Sequence, residues 1–348
     1  MYKKFFRIFL SLSFSLLLIC GSLVFAIDPF YHYRANQDKT KIIYQLPYYQ
    51  NVGIAKYAQY DTLITGSSMT QNFNALHFNK ELNCDAVRLS FDGGILSDFR
   101  ALLDSAISNN KELKRVFFGL DNYLITADSK LVDETNRIPD YLIDNNIFSD
   151  VNYLFNKDVL LKYTRTHFAY KYSDSYDFYK MHSWDNGSIV FSKQKVLENY
   201  TMPTEQKVLS RKYFMSNSEE VISELSYFIK NNPHIEFVFF APPYSILYWN
   251  TLLTEGKLPA TIAAMKNVYG ALLRFENVRI FFFQDNKEMI TNLDKYKDAT
   301  HYCSEYNEYM LSCFSNGKNE LTVDNYITTL EKMEYWANNY NYAPIFNK

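Results

Sequence analysis

From Ile8 to Ile27 the chain carries no charged residue, and Lys3, Lys4 and Arg7 stand just before that run. A helix needs about 20 mainly apolar residues to cross the hydrocarbon layer of a bilayer. Basic residues before the run, and none immediately after it, predict a cytoplasmic N-terminus over 1–7, a membrane-spanning anchor over 8–27 and everything later outside the cytoplasm. A cleaved secretion signal is the rival reading. Val24-Phe25-Ala26 matches a small-x-small cleavage pattern only weakly, and Ile19 before Cys20 does not suit a lipoprotein signal, so the uncleaved anchor is preferred. In both cases the body of the protein is expected in an extracytoplasmic compartment.

The remaining length is enough for one large domain or two small ones. The formal net charge is −2 and no long basic run follows the first residues, which argues against nucleic acid as a partner. Tyr (30) and Phe (28) are abundant. Tyrosine can line a half-wet groove, but abundant Tyr, Asn, Ile and Lys beside few Gly and Pro are better read as a compositional bias. The four cysteines, Cys20, Cys84, Cys303 and Cys313, have no zinc-site spacing, and no metal or organic cofactor is implied.

Residues 28–59 are aromatic and irregular and read as a lead-in. From residue 60 onward a strand and helix alternation begins. Strands are expected over 61–65, 85–90, 115–118, 234–241 and 277–283. Helices are expected over about 69–82, 96–110, 205–231 and 245–275, and from about 304 and 323. Residues 123 to about 202 break the rhythm and read as an aromatic-rich insertion. The pattern predicts an α/β domain over 60–348, a three-layer α/β/α arrangement around a central parallel sheet of about five strands. Ligands of such sheets bind at the carboxyl ends of the strands.

Unusual residues fall at those ends. Gly66-Ser67-Ser68-Met69-Thr70 follows the first strand, where a glycine turn presents a serine at the start of the next helix. Ser90-Phe91-Asp92-Gly93-Gly94 follows the second, where a glycine N–H can approach a substrate oxygen. Gly119-Leu120-Asp121-Asn122-Tyr123 follows the third, where a polar side chain can stabilise an oxyanion. Asp298-Ala299-Thr300-His301 follows the fifth. Its spacing places carboxylate and imidazole on one face of a helical turn, so that Asp298 orients His301 and His301 takes a proton from a serine. Taken singly, each stretch also reads as an ordinary cap or turn.

Their order resembles the SGNH (GDSL-like) hydrolase superfamily. Gly66-Ser67-Ser68 corresponds to its Gly-Asp-Ser block, Gly93 to its second-block glycine, and Asp298-x-x-His301 to its last block. The resemblance implies the flavodoxin-like SGNH fold, with Ser68, Asp298 and His301 as the catalytic residues and Gly93, Asp121 and Asn122 at the oxyanion or binding positions. Two departures stand out. Ser67 occupies the usual Asp position, and Asp121 occupies the Asn position of the third block. An ionised Asp121 would repel an oxyanion, so it must be protonated, turned away or replaced in that role by Asn122. The Gly-Ser-Ser form and the anchor are similar to the DltD-type and alginate-acetylation-type SGNH proteins. That likeness implies a serine-dependent esterase or O-acyltransferase acting on a small acyl ester or an acylated cell-envelope polymer, alongside a membrane-bound O-acyltransferase. The alternative is an SGNH-like module, weak or inactive in catalysis, that binds such a polymer or such an acyltransferase.

Overall fold

The computed structural model describes residues 2–127, 137–144, 146–173 and 176–346; the insertion expected over 123–202 lies partly outside them. The chain divides into two compact units. The first gathers the N-terminal helix and lead-in through Gln59, Ala101–Lys111 and the stretch that ends at Met181; the second begins at Tyr60 and includes everything from His182 onward.

In the first unit the helix Tyr2–Ile27 has 26 residues, about 39 Å at 1.5 Å per residue. It is long and apolar enough to cross a membrane. Only Gly21 and Val24 within it are buried; Phe5, Phe9, Leu12, Phe14 and Leu16 face outward. Gly21 lies against Phe155, whose ring would be 3.2 Å from an added Cβ. The helix stops at Asp28, which takes a left-handed φ of 47°. The Asp28 carboxylate then accepts the N–H groups of His32, Tyr33 and Arg34 and the Tyr153 hydroxyl. Much of the tyrosine content packs here: the Phe30 ring meets those of Tyr49, Tyr153 and Tyr163 at centroid distances of 4.6, 5.5 and 5.1 Å. Such pairs add roughly 0.5–1.5 kcal/mol each beyond simple burial.

The second unit is an α/β domain with a six-stranded, mostly parallel sheet in the order β2-β1-β3-β4-β5-β6. The strands are β1 (Thr62–Thr65), β2 (Ala86–Arg88), β3 (Arg115–Gly119), β4 (Glu236–Ala241), β5 (Val278–Phe282) and β6 (Glu320–Leu321). The first five pair in parallel, with Ile64 opposite Phe117 and Phe117 opposite Val238. Continuous apolar runs suit strands covered on both faces, and Phe237 through Ala241 are all buried. The expected count of about five strands is exceeded by β6, which pairs antiparallel to β5. Two residues carry no periodic signal, and the Arg279 guanidinium, donating to both Glu320 oxygens at 2.9 and 2.7 Å, pins them. Phe314 centres the core, its ring against Phe117, Phe240 and Phe281 at 5.1–5.3 Å.

Several helices differ from expectation. The one predicted from Met69 begins as a single tight turn, Ser68–Thr70, and resumes at Ala75–Leu82 once Asn74 caps it by accepting the Leu76 N–H. The predicted 205–231 helix is helical only over Met215–Asn231. Its first part is instead tied by backbone bonds from Gln206 N to Thr254 O and from Leu209 N to Gly256 O. The 245–275 stretch, expected to be helical with interruptions at Gly256 and Pro259, is indeed two helices, Ile246–Thr254 and Leu258–Leu272, parted at Gly256, where φ is +66°.

Strand order sets the site. The chain leaves β1 for β2 on one side, then returns to place β3 on the other. At such a reversal the loops after the two central strands diverge and leave a crevice at their carboxyl ends. Ser68 follows β1 and Asp121 follows β3, so both stand at that reversal.

Candidate active site

The turn after β1 depends on two glycines. Gly66 has φ +147°, and a Cβ there would lie 2.6 Å from the Thr70 methyl and 3.1 Å from the Gly119 backbone. Gly119, ending β3, would meet the same methyl at 2.7 Å. The ends of β1 and β3 thus close around Thr70, whose hydroxyl donates to Ser67 O at 2.8 Å and pairs with the Ser90 hydroxyl at 2.7 Å. This fixes the tight turn that presents Ser68.

Ser68 Oγ lies 2.8 Å from His301 Nε2, across 233 positions of sequence. His301 Nδ1 lies 2.8 Å from Asp298 Oδ2 and 3.0 Å from Oδ1. A carboxylate facing Nδ1 keeps the proton there, which leaves Nε2 as an acceptor for the serine hydroxyl. Burial alone would push the Asp298 carboxyl up. The His301 imidazole, together with the N–H groups of His301 and Thr300, instead holds it well below the usual carboxylate range. An ionised Asp298 in turn stabilises an imidazolium, so the arrangement can remove a proton from Ser68 as its oxygen attacks.

The Asp298–His301 stretch is not the helical turn predicted from its spacing. It is a bend closed by a bridge between Tyr296 and Tyr302, in which Asp298 Oδ1 accepts the N–H groups of Thr300 and His301 at 2.9 and 2.8 Å. An Asp that satisfies the backbone two and three residues ahead builds its own turn without a helix. Neighbours lock the loop: Ser245 Oγ donates to Ala299 O at 2.7 Å, Tyr296 OH to Pro243 O at 2.8 Å, and Tyr302 OH to Met69 O at 2.9 Å. The last bond ties the imidazole loop to the serine turn.

Asp121 and Asn122 part company. Asn122 is fully buried and forms a reciprocal amide pair with Gln284, at 2.9 and 3.2 Å. Both halves of its amide are therefore engaged away from Ser68. Asp121 is the one that joins the site. Its carboxyl accepts the Tyr244 hydroxyl at 2.5 Å, bonds the Ser67 side chain and feels the His301 imidazole. Burial pushes the Asp121 carboxyl up, and these partners offset that only in part. Gly93 sits exposed in the turn after β2 with φ +60°.

Trp184 was not legible as a site residue. Its indole N–H donates to Ser68 O at 2.9 Å, and its ring stands edge-on to His301 with centroids 5.5 Å apart. Lys297 Nζ lies 4.1 Å from the same ring. The backbone beside it is held by Asn72, which accepts from Ser183 Oγ and Asp185 N, and by Asp185, which accepts the Ser304 N–H. Trp249, in the helix after β4, is wholly buried. Among the described residues, no cluster of His, Cys, Asp or Glu is placed to hold a metal ion. No family model matches the chain, and neither the curated proteins nor the solved structures contain a significant match.

Proposed function

We propose that this protein is a membrane-anchored, extracytoplasmic serine esterase or O-acyltransferase of the SGNH type, acting on acyl groups of a cell-envelope polymer. The observation that carries this reading is the 2.8 Å contact of Ser68 Oγ with a His301 ring oriented by Asp298. The order of parallel strands, 2-1-3-4-5, suits the flavodoxin-like arrangement that the SGNH reading requires. The apolar N-terminal helix and the basic residues before it support the anchor and its orientation.

In the proposed reaction Ser68 Oγ attacks the acyl carbonyl carbon and its proton passes to His301 Nε2. The carbonyl electron pair moves to oxygen. Collapse expels the leaving alkoxide, which takes the proton from His301, and the acyl group remains on Ser68. Water or a sugar or polyol hydroxyl then repeats the sequence in reverse, giving its proton to His301 and restoring the serine. The backbone N–H groups of Ser68 and Gly93 hold the oxyanion. One such donor is worth about 10²–10³ in kcat. The test is release of nitrophenol from a nitrophenyl acetate, with and without a polyol acceptor. Acetyl transferred to the acceptor marks an acyltransferase, and release without transfer marks an esterase. No release above that of Ser68→Ala contradicts both and leaves a binding module.

Asp121 makes the reading specific. Its folded pKa is raised, so its neutral form is favoured by folding. That contribution is complete below the unfolded carboxyl value, about 3.9, and is lost as pH rises through the higher folded value. Over the same rise a negative charge develops beside the His301 imidazole, where it opposes an oxyanion. Asp121→Asn removes the titration. Its pH–rate profile is expected to extend further to the alkaline side than that of the parent, and its stability to exceed the parent's at pH 8 but not at pH 4. Superimposable rate profiles, measured with urea unfolding at both pH values, would contradict the role.

A further inference from the structure

A concave site lies in the first unit, where the N-terminal helix ends. It encloses about 710 Å³, and its wall includes Ile27, Asp28, Arg34, Lys41, His167 and Lys171. Ile27 is the last residue of the apolar helix.

The wall is cationic. Arg34 is fixed at the helix end, where its Nη2 donates to Phe25 O and Ala26 O and its guanidinium lies 5.0 Å from the centre of the Phe25 ring. Lys41 is exposed and reaches Asp38 at 3.3 Å, an exposed pair of one turn; such a pair contributes little and yields readily to a better anion. Lys171 closes the helix Thr164–Lys171 and lies close enough to bear on His167. Among the described residues of the wall the carboxylate is Asp28, which is buried and spends both oxygens on His32, Tyr33, Arg34 and Tyr153. It does not neutralise the three cations.

His167 supplies the second observation. Its Nδ1 is buried and has no hydrogen-bond partner. Burial first, and the Lys171 charge second, push the imidazole down to about 4, so it is neutral at ordinary pH and holds one ring N–H to give. A neutral N–H donor beside ammonium and guanidinium groups matches an anion with several acceptor oxygens.

The geometry points to a binding site for a phosphate-bearing anion in this cavity, held by Lys41, Lys171 and the ring of His167 beside the Arg34 cap. The chemistry is shared by a phospholipid headgroup and by a soluble phosphate. A headgroup is the source if the helix is an anchor, because its last residue then lies at headgroup depth. The site itself does not depend on the Ser68 chemistry.

The test uses the full-length chain in detergent. In one arm, micelles carry equal amounts of phosphatidylglycerol and phosphatidylcholine with the same acyl chains, and retained lipid is read by native mass spectrometry. In the other, thermal unfolding is compared in inorganic phosphate and in chloride at matched ionic strength. The parent is set against the double variant Lys41→Gln/Lys171→Gln, whose positions are exposed, and against His167→Phe. The parent is expected to retain phosphatidylglycerol about tenfold over phosphatidylcholine, and the double variant to lose that preference. A phosphate-dependent rise in Tm, lost in the variants and without lipid preference, also supports the site and assigns a soluble source. Equal behaviour of parent and variants in both arms overturns it. Intact mass of the same preparations shows whether the helix is retained, so a failed anchor reading is told apart from a failed site. Far-ultraviolet circular dichroism checks that each variant is folded.

Discussion

Ser68→Ala is expected to lower acyl turnover by about 10⁴–10⁶-fold while leaving the fold intact. The magnitude follows from how such groups act: serine and histidine work as a unit, and removing either member loses nearly all of what the unit supplies. What survives is the background from oxyanion stabilisation and substrate placement. The stability cost should be small. Ser68 is half-buried, and the cap that holds its turn is Ser67 Oγ, which accepts the Met69 N–H at 3.2 Å. Loss of one partly exposed hydroxyl falls within about 1 kcal/mol. Unfolding by urea should therefore shift the midpoint of the variant by no more than about 0.5 M. A variant that retains a tenth of parental turnover would remove Ser68 from the mechanism.

Asp298→Asn is expected to reduce turnover by about 10⁴-fold, mostly in kcat. An amide facing Nδ1 no longer requires the proton there, so the imidazole can present its N–H to Ser68 and cease to act as a base. This substitution also acts on stability. The Asp298 carboxyl is held well below its usual range, so its ionisation favours the folded state. That stabilisation is present above the unfolded carboxyl value, about 3.9, and fades as pH falls toward the folded value. The parent should therefore exceed Asp298→Asn in stability at pH 7, and the gap should narrow as the solution is acidified. The measurements are kcat and KM at pH 7 and urea midpoints between pH 3 and 7. A loss under tenfold in kcat, with KM carrying the change, would assign Asp298 to substrate binding instead.

The sequence and the structure agree where the chain's chemistry is local. The runs Leu63–Ile64, Val116–Phe118 and Phe237–Ala241 could only be strands covered on both faces, and they are buried as such. Gly66 and Gly119 marked the ends of β1 and β3 because no side chain fits beside Thr70. Agreement stops where tertiary contacts decide. The spacing of Asp298 and His301 suits a helical turn as well as an Asx bend, and the bond from Ser245 to Ala299 that favours the bend comes from 54 residues away. Residues 205–214 have helical composition but are drawn off by Thr254 and Gly256. Trp184 reaches Ser68 across 116 positions, and no local pattern encodes such a contact. Asp121 was visible as an anomaly, yet its resolution required knowing that Tyr244 buries it and that Gln284 occupies Asn122.

The most direct measurement is covalent labelling with a fluorophosphonate, followed by mass mapping of the modified peptide. An activated serine attacks phosphorus and expels fluoride, while ordinary serines, including Ser67, stay unmodified. The account predicts one adduct per chain, on Ser68, abolished by Ser68→Ala and strongly slowed by Asp298→Asn. An adduct that persists in Ser68→Ala, or a folded parent that takes up none, would contradict it.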